Sequence, residues 1–215
     1  MRLGDGMKRV KPEISFLEEK TFSEVIREEE WENLKITESP QQSISLEDMI
    51  IQSCLFERIH FSNVSFSKIS FVDVIFEGCD FSNVDLSFQH FRRVEFRNCK
   101  MIGVSFHLSS LQDVLFDDCI LTLQDYTKTK LRHILFSQSD LSNSSFIQTD
   151  MKQIEFQEIV LKRTEFLQTS LGGVDFSSCD ISETLFDLYS LRGILIDSFQ
   201  SQFLVSMLGV QIKED

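Results

Sequence analysis

Proline and glycine are scarce in this chain, two and eight among 215 residues. Left-handed glycine turns are therefore not its general way of reversing direction, and its corners call for a geometry that ordinary residues tolerate, as type I turns do. Tryptophan (one) and tyrosine (two) are nearly missing, although phenylalanine reaches 21, so the core asks for one particular large ring. Basic residues are in deficit: 21 Lys and Arg face 34 Asp and Glu, a net charge of −13. That balance argues against nucleic acid or an anionic membrane as partner. It suits a basic partner, including a protein surface that ordinarily holds DNA. Long apolar runs are missing too, which excludes a transmembrane helix. Residues 1–16 carry charges throughout and no apolar stretch, so they do not read as a secretory signal. A cytoplasmic protein whose five cysteines are free thiols is the expectation.

What is present is a repeat of five. Every fifth residue from Leu46 to Ile196 is a large apolar or aromatic side chain, as in Phe56, Phe61, Phe66, Phe71, Phe76 and Phe81. Helices repeat near 3.6 and strands near 2, so a period of five is neither. Two residues before each large side chain lies a smaller one: Cys54, Ile59, Val64, Ile69, Val74, Cys79. A small-x-large unit has strand spacing, and the two polar residues that follow make a corner. Very short strands joined by tight corners are the prediction, with middle and corner positions facing outward.

All five cysteines (Cys54, Cys79, Cys99, Cys119, Cys179) occupy the small inner position, where a thiol packs as a small hydrophobe. Residues such as Phe96, Phe116, Phe136 and Phe156 recur every twenty. If four repeats make one turn, such residues stack as ladders about 4.8 Å apart. From Phe106 onward rings alternate with Leu, Met or Ile, which predicts two aromatic and two aliphatic sides. Ser109, Thr129, Thr149 and Thr169 form one inner hydroxyl column, and Ser144, Thr164 and Thr184 another; these hydroxyls require internal partners. Gln89 and Gln124 are long for the slot and follow Phe88 and Leu123. A local bulge turning Phe88 or Leu123 inward is expected at each.

The segments CDFSNVDL (79–86), SDLSNSSF (139–146) and VDFSSCDI (174–181) resemble the pentapeptide-repeat family over roughly residues 44–198. The resemblance implies an all-β fold, a right-handed quadrilateral β-helix with twenty residues per coil. Nearly eight coils would make a rod of roughly 37 Å. On this reading residues 1–12 are a disordered N-terminus, 13–45 an N-terminal cap, 46–198 the β-helix, and 199–215 a C-terminal helix and strand. Trp31, in the cap, is read as a core residue.

A solenoid must cap its ends, and the period changes sharply at the C-terminus. Phe199, Phe203, Leu204, Met207 and Leu208 share one helical face. Asp197 with Gln200 resembles a capping box, and Gly209 suits a helix stop. Val210 and Ile212 then alternate as an edge strand. The stretch GILIDSFQSQFLVSMLGVQI (193–212) is similar to the ending of Qnr-type and mycobacterial quinolone-resistance proteins. That resemblance implies a homodimer joined end to end through these residues. It also implies an acidic rod that mimics DNA, binds DNA gyrase or topoisomerase IV, and protects against quinolones. Because the register is unbroken from Leu46 to Ile196, the chain resembles the loopless type of mycobacteria and Gram-positive bacteria, which tempers the protection that the family implies.

Glu165, Asp175, Asp180, Glu183, Asp187 and Asp197 stand against one base, Arg192, within residues 164–200. They are the candidate partner-binding surface next to the expected two-fold. Basic residues gather elsewhere, at Arg92, Arg93, Arg97 and Lys100 and at Lys128, Lys130 and Arg132. Catalytic, metal and cofactor sites are not expected. His60, His90, His107 and His133 fall on outward positions without metal-ligand spacing, and nucleotide-binding or nucleophile-elbow motifs are missing. The competing reading is a scaffolding solenoid that binds a partner through Leu55, Ile75, Leu115 and Leu135, which form an outward apolar stripe at multiples of twenty.

Overall fold

A computed structural model describes residues 8–28, 30–207 and 209–210. The chain begins with β1 (Glu18–Lys20), α1 (Phe22–Val25), β2 (Trp31–Glu32), β3 (Leu34–Ile36), β4 (Ile44–Glu47), β5 (Ile50–Gln52), β6 (Leu55–Glu57) and β7 (Val64–Ser67). Five longer strands follow one coil apart: β8 (Ser70–Glu77), β9 (His90–Arg97), β10 (Ser110–Asp117), β11 (Lys130–Ser137) and β12 (Asp150–Gln157). Short β13 (Glu165–Phe166) and β14 (Leu185–Phe186) precede α2 (Ser198–Met207). Every pairing is parallel and offset by twenty in the coils, as in Phe76↔Phe96, Phe96↔Phe116 and Phe116↔Phe136. This is the expected right-handed quadrilateral β-helix, and its register reaches back to Trp31↔Ile51.

The five-residue period creates this geometry because each repeat places its large and small residues inside and turns one corner. Backbone groups then point along the axis. Phe81 N–H donates to Lys100 O (2.7 Å) and Lys100 N–H to Cys79 O (2.9 Å), and the pattern recurs from coil to coil. Phe76, Phe96, Phe116 and Phe136 stack with ring centroids 5.0 Å apart. A second ladder runs through Phe106, Tyr126, Phe146 and Phe166. The two meet edge to face, as at Phe106 and Phe116 (6.1 Å, 77°), the favourable arrangement for ring quadrupoles. Leu111, Leu131, Leu121, Leu141 and Leu161 fill the other two sides and are fully buried.

Corners depart from the expectation. They are not built from right-handed residues alone: the second corner residue of nearly every repeat has φ near +55°, including Asp73 (55°), Asn83 (60°), Phe88 (63°), Leu123 (62°) and Arg163 (55°). A left-handed non-glycine residue costs about 1–2 kcal/mol. An inter-coil bond offsets this, since the corner N–H reaches the next coil: Asn83 to Ile102 O (2.8 Å), Phe88 to His107 O (2.9 Å), Leu123 to Ser142 O (3.0 Å). Glycine relieves the strain at few corners. At Gly103 (φ 69°) a Cβ would lie 2.9 Å from Asn83 Oδ1.

Neither expected bulge forms. Phe88 and Leu123 keep ordinary corner geometry and point out, 61% and 59% exposed. The glutamines stay inside because their amides find partners. Gln89 Oε1 accepts from Ile69 N–H (2.5 Å), and its Nε2 donates to Ser87 O (2.6 Å). Gln124 Nε2 donates to Met101 O (3.1 Å), and Tyr126 Oη donates to Gln124 Oε1. The hydroxyl columns behave alike: Thr129 donates to Phe106 O (2.6 Å), Thr149 to Tyr126 O (2.8 Å) and Thr164 to Leu141 O (2.9 Å). The cysteine thiols point at the equivalent carbonyl, as Cys99 does at Phe76 O (3.4 Å). All five are free and buried, and burial pushes the Cys54 thiol up to about 11.

At the N-terminal end α1 folds Phe22 over the first coil, edge-on to Trp31 (5.4 Å) and near Phe56 and Phe61. Trp31 is a core residue, its indole donating to Val25 O (3.0 Å). At the other end Asp197 and Gln200 form the predicted box, N–H to Oε1 at 3.0 Å and N–H to Oδ1 at 2.7 Å. Gln200 Nε2 also donates to Phe176 O and Cys179 O, both 2.8 Å, which ties α2 to the last coils. Gly209 ends the helix in the left-handed region (φ 74°).

Two substitutions test this account. Gln124→Leu strands the buried Tyr126 hydroxyl and should cost about 1–3 kcal/mol in urea unfolding, with much of the loss recovered in Gln124→Leu/Tyr126→Phe. Leu123→Asn places a residue that tolerates the left-handed corner at an exposed site and should raise stability by up to about 1 kcal/mol.

Candidate protein-binding surfaces

With the interior filled, chemistry is confined to the outward columns. Each column repeats every twenty residues, so the sequence sorts its charges onto separate sides. On the side carrying the first halves of β9 to β12, the outward residues include His90, Arg92, Lys130, Arg132 and Lys152. A different side presents Asp85, Ser105, Asp125, Ser145 and Glu165 in one bridged column that contains no base. A third carries Asp80, Lys100, Ile120, Asp140, Val160 and Asp180.

Many of these carboxylates are held rather than loose. Asp80, Asp85, Asp125, Asp140, Asp175 and Asp180 each accept, through Oδ1, the backbone N–H two residues on, at 2.8–2.9 Å. This local turn is what Asp does well before a corner. It fixes χ1 and turns the second oxygen away from the bond.

The six predicted acidic residues are not brought onto one side. Glu165 follows Ser145 in its column, Asp175 is bridged to Leu195, and Asp180 to Val160. Glu183 is engaged by Lys162 Nζ (3.0 Å) and Arg163 Nη1 (3.2 Å). Asp187 accepts from Gln168 N–H and Ser190 N–H, both 2.7 Å. Asp197 caps α2. Hydrogen bonds from Ser182 hold Asp180 below the usual carboxylate range, and Lys162 and Arg163 do the same for Glu183. At Asp187 burial opposes ionisation, but the backbone N–H groups prevail and its pKa is also lowered.

Of the predicted dimer residues, Phe203, Leu204 and Met207 are half-buried against the core, while Phe199 is 84% exposed and Val210 also projects outward. Leu208 and Ile212 lie outside the described residues. α2 has no fully buried residue. Leu188, Tyr189 and Leu195 are exposed at the same end, so a sizeable apolar surface collects there.

Of residues 1–12, expected to be disordered, residues 8–12 lie against the solenoid and residues 1–7 lie outside the described residues. Arg9 Nη2 pairs with Glu95 Oε1 (2.5 Å), Val10 N–H donates to Asp113 Oδ1 (3.1 Å), and Glu13 N–H to Asp73 Oδ1 (3.1 Å). Glu95 is only 1% exposed. Its place between Ile75 and Leu115 in the apolar column was the available signal. The stripe of Leu55, Ile75, Leu115 and Leu135 is therefore interrupted and half-buried.

Among the described residues no group of three or more His, Cys, Asp or Glu is placed to hold a metal ion, and no helix is long and apolar enough to cross a membrane. Surface hollows of 490 and 410 Å³ flank the N-terminal cap, lined by residues such as Trp31, Lys68 and Asp48 or Phe22, Arg27 and Pro40.

A parallel coil with four sides, twenty residues per turn and a five-residue unit defines a quadrilateral β-helix. The family model for the pentapeptide repeat region matches residues 49–122 and 69–146, and this part of the coil is a pentapeptide-repeat region. No curated protein matches it. Among solved structures it is similar to a trypsin-treated form of QnrB1, a plasmid-mediated fluoroquinolone resistance protein, at TM-score 0.50 and 18% identity, covering 86% of this chain and 92% of that one. HetL, a pentapeptide repeat protein involved in heterocyst differentiation regulation in the cyanobacterium Nostoc sp., aligns at TM-score 0.32 and 13% identity over 78% of this chain and 89% of its own.

The lowered carboxylates set the acid response. A carboxyl whose folded pKa is depressed contributes stability above its unfolded pKa and loses it as pH falls through the folded value. The urea midpoint should hold from pH 7 to about 5 and drop below about 4. Asp180→Asn should flatten that drop slightly.

Proposed function

We infer that this chain is a non-enzymatic, acidic display rod that pairs end to end through α2 and occupies a DNA-binding surface of a type II topoisomerase, gyrase or topoisomerase IV. The observation that carries this reading is the array of immobilised aspartates on outward columns. Duplex DNA presents one charge per ~1.7 Å of axis. The coil of residues 46–198 holds 13 Lys and Arg against 22 Asp and Glu, a net −9, so a rod of roughly 37 Å carries about one charge per 4 Å, sparser than DNA but of the same order. Asp85, Asp125 and Glu165 on one side and Asp140 and Asp180 on another are the contact residues, and the basic side of β9 to β12 faces away from the enzyme. Similarity to a fluoroquinolone resistance protein supports quinolone protection as the physiological outcome. The exposed apolar end at Phe199, Leu195 and Tyr189 supports the two-fold pairing, which would double the length of the rod and bring Asp175, Asp180 and Glu183 of both copies near its centre.

The test is gyrase supercoiling and quinolone-stabilised cleavage with purified protein. Inhibition or protection should appear, and Asp125→Lys/Asp180→Lys should weaken it at least tenfold. No effect of the unaltered chain at any concentration would sink the reading. Separately, Phe199→Asp should halve the mass measured by sedimentation equilibrium without changing the far-ultraviolet spectrum.

A further inference from the structure

We propose that the groove along Asp73, Glu95 and Asp113 is a recognition site for an extended, arginine-bearing segment of another protein, and that residues 9–14 occupy it as a built-in pseudo-ligand. It does not depend on the topoisomerase reading, because it uses a different side of the rod and a partner of different chemistry.

The groove has the parts such a site needs. Val10 binds the coil of Asp113 and Glu13 binds the coil of Asp73, two coils nearer the N-terminal end. Two coils are about 10 Å, and three residues of fully extended chain span about 10 Å. The segment therefore runs straight along the axis, across the strands, with no slack. Asp113 and Asp73 grip it through backbone N–H groups, which any non-proline sequence offers. Side-chain selectivity rests on Glu95, a carboxylate set among Ile75, Leu115 and Leu135 in an apolar column and reached by Arg9 from the segment and by Arg97 from its own coil.

The coil itself has no use for this arrangement. Asp73 is already held by Arg93, with both bonds at 2.5 Å, and Asp113 has His133 (3.2 Å) and Gln112 (3.3 Å). An outward Glu95 with Arg97 alone would satisfy the fold as the other outward ion pairs do. Contacts spanning 60 to 103 residues of sequence instead make the first described residues a strap. Its fit is incomplete: Arg9 Nη1 is buried without a hydrogen-bond partner, an unfavourable state. A segment that satisfies both guanidinium nitrogens can displace it. Recognition that combines main-chain bonds with one side-chain pocket is how extended peptides dock on sheets.

The test uses the full chain. A fluorescently labelled peptide of residues 8–17 (KRVKPEISFL) is the probe, titrated against the unaltered chain, Arg9→Glu and Arg9→Glu/Glu95→Arg, each checked for native circular dichroism. Arg9→Glu sets two carboxylates against each other and should free the strap, so it should bind the peptide at least tenfold more tightly than the unaltered chain. The double variant reverses the ion pair and should lose that gain. A peptide carrying Ala in place of its arginine should not bind Arg9→Glu. Hydrogen exchange at the Val10 and Glu13 amides should speed up in Arg9→Glu and slow again in the double variant. The proposal is overturned by equal peptide binding to the unaltered chain and Arg9→Glu, by equal binding of the alanine peptide, or by amides that stay protected in Arg9→Glu. Uptake of the strap from added unaltered protein as a 1:1 complex, with no binding of free peptide, would make the occupant a second copy and also overturn it.

Discussion

The bond between coils is the constraint on which this structure depends. Each backbone N–H and C=O that points along the axis must meet its counterpart one turn away, as Phe81 meets Lys100 and Phe106 meets Asp125. Buried backbone groups left unpaired are costly, so every coil is held to the same length as its neighbours. Equal coils place position n over position n+20, and stacking follows as a consequence. Phe96 lies over Phe76 and Phe116 over Phe96 because the hydrogen-bond register leaves them nowhere else to go. The aromatic ladders then add burial and ring–ring attraction to an alignment that the backbone has already imposed.

That register also explains which side chains the inner slot accepts. At the hydroxyl slots the carbonyl of the large residue beneath already receives a turn N–H, as Phe106 O does from Ser109 N–H, yet keeps a second lone pair. A donor 23 residues later can reach it. Thr129, Thr149 and Thr164 do so with hydroxyls, Cys79, Cys99 and Cys119 with thiols, Gln124 with an amide. Side chains as different as Cys, Thr and Gln occupy the same inner position of the repeat, in different columns, because each column offers this acceptor. The position selects for a short reach and a donor or for apolar bulk, and only charge is excluded.

The repeat made the coil, its inner residues and the C-terminal box legible in the sequence, since each depends on neighbours five or twenty residues apart or within one helical turn. What was not legible has a common cause. The left-handed corners at Phe88 and Leu123 are set by an inter-coil bond rather than by local preference, and local preference argued for something else. Gln89 and Gln124 looked too long because their partners lie on the preceding coil. The strap was invisible because Arg9 and Glu95 are 86 residues apart and no period links them. The acidic surface was legible as composition but not as placement. Counting charges in residues 164–200 put six carboxylates together, whereas the coil spreads them over several sides and commits Asp187 and Asp197 to local structure.

Sorting by column matters more for function than net charge does. A flexible chain with −13 would present an average field, whereas a rigid coil presents a different one on each side. The side of Asp85, Asp125 and Glu165 is acidic, the first half of β9 to β12 is basic, and the column of Ile75, Leu115 and Leu135 is apolar around a covered Glu95. Contacts made by opposite sides cannot be exchanged by local rearrangement, because rotating any one residue to another side would break the hydrogen bonds of two coils at once. A partner reading the acidic side would therefore meet it in one orientation. The Asp turns sharpen this further: a carboxylate already bonded to its own backbone loses little side-chain entropy on binding, so the rod enters a complex with much of that ordering already done by folding.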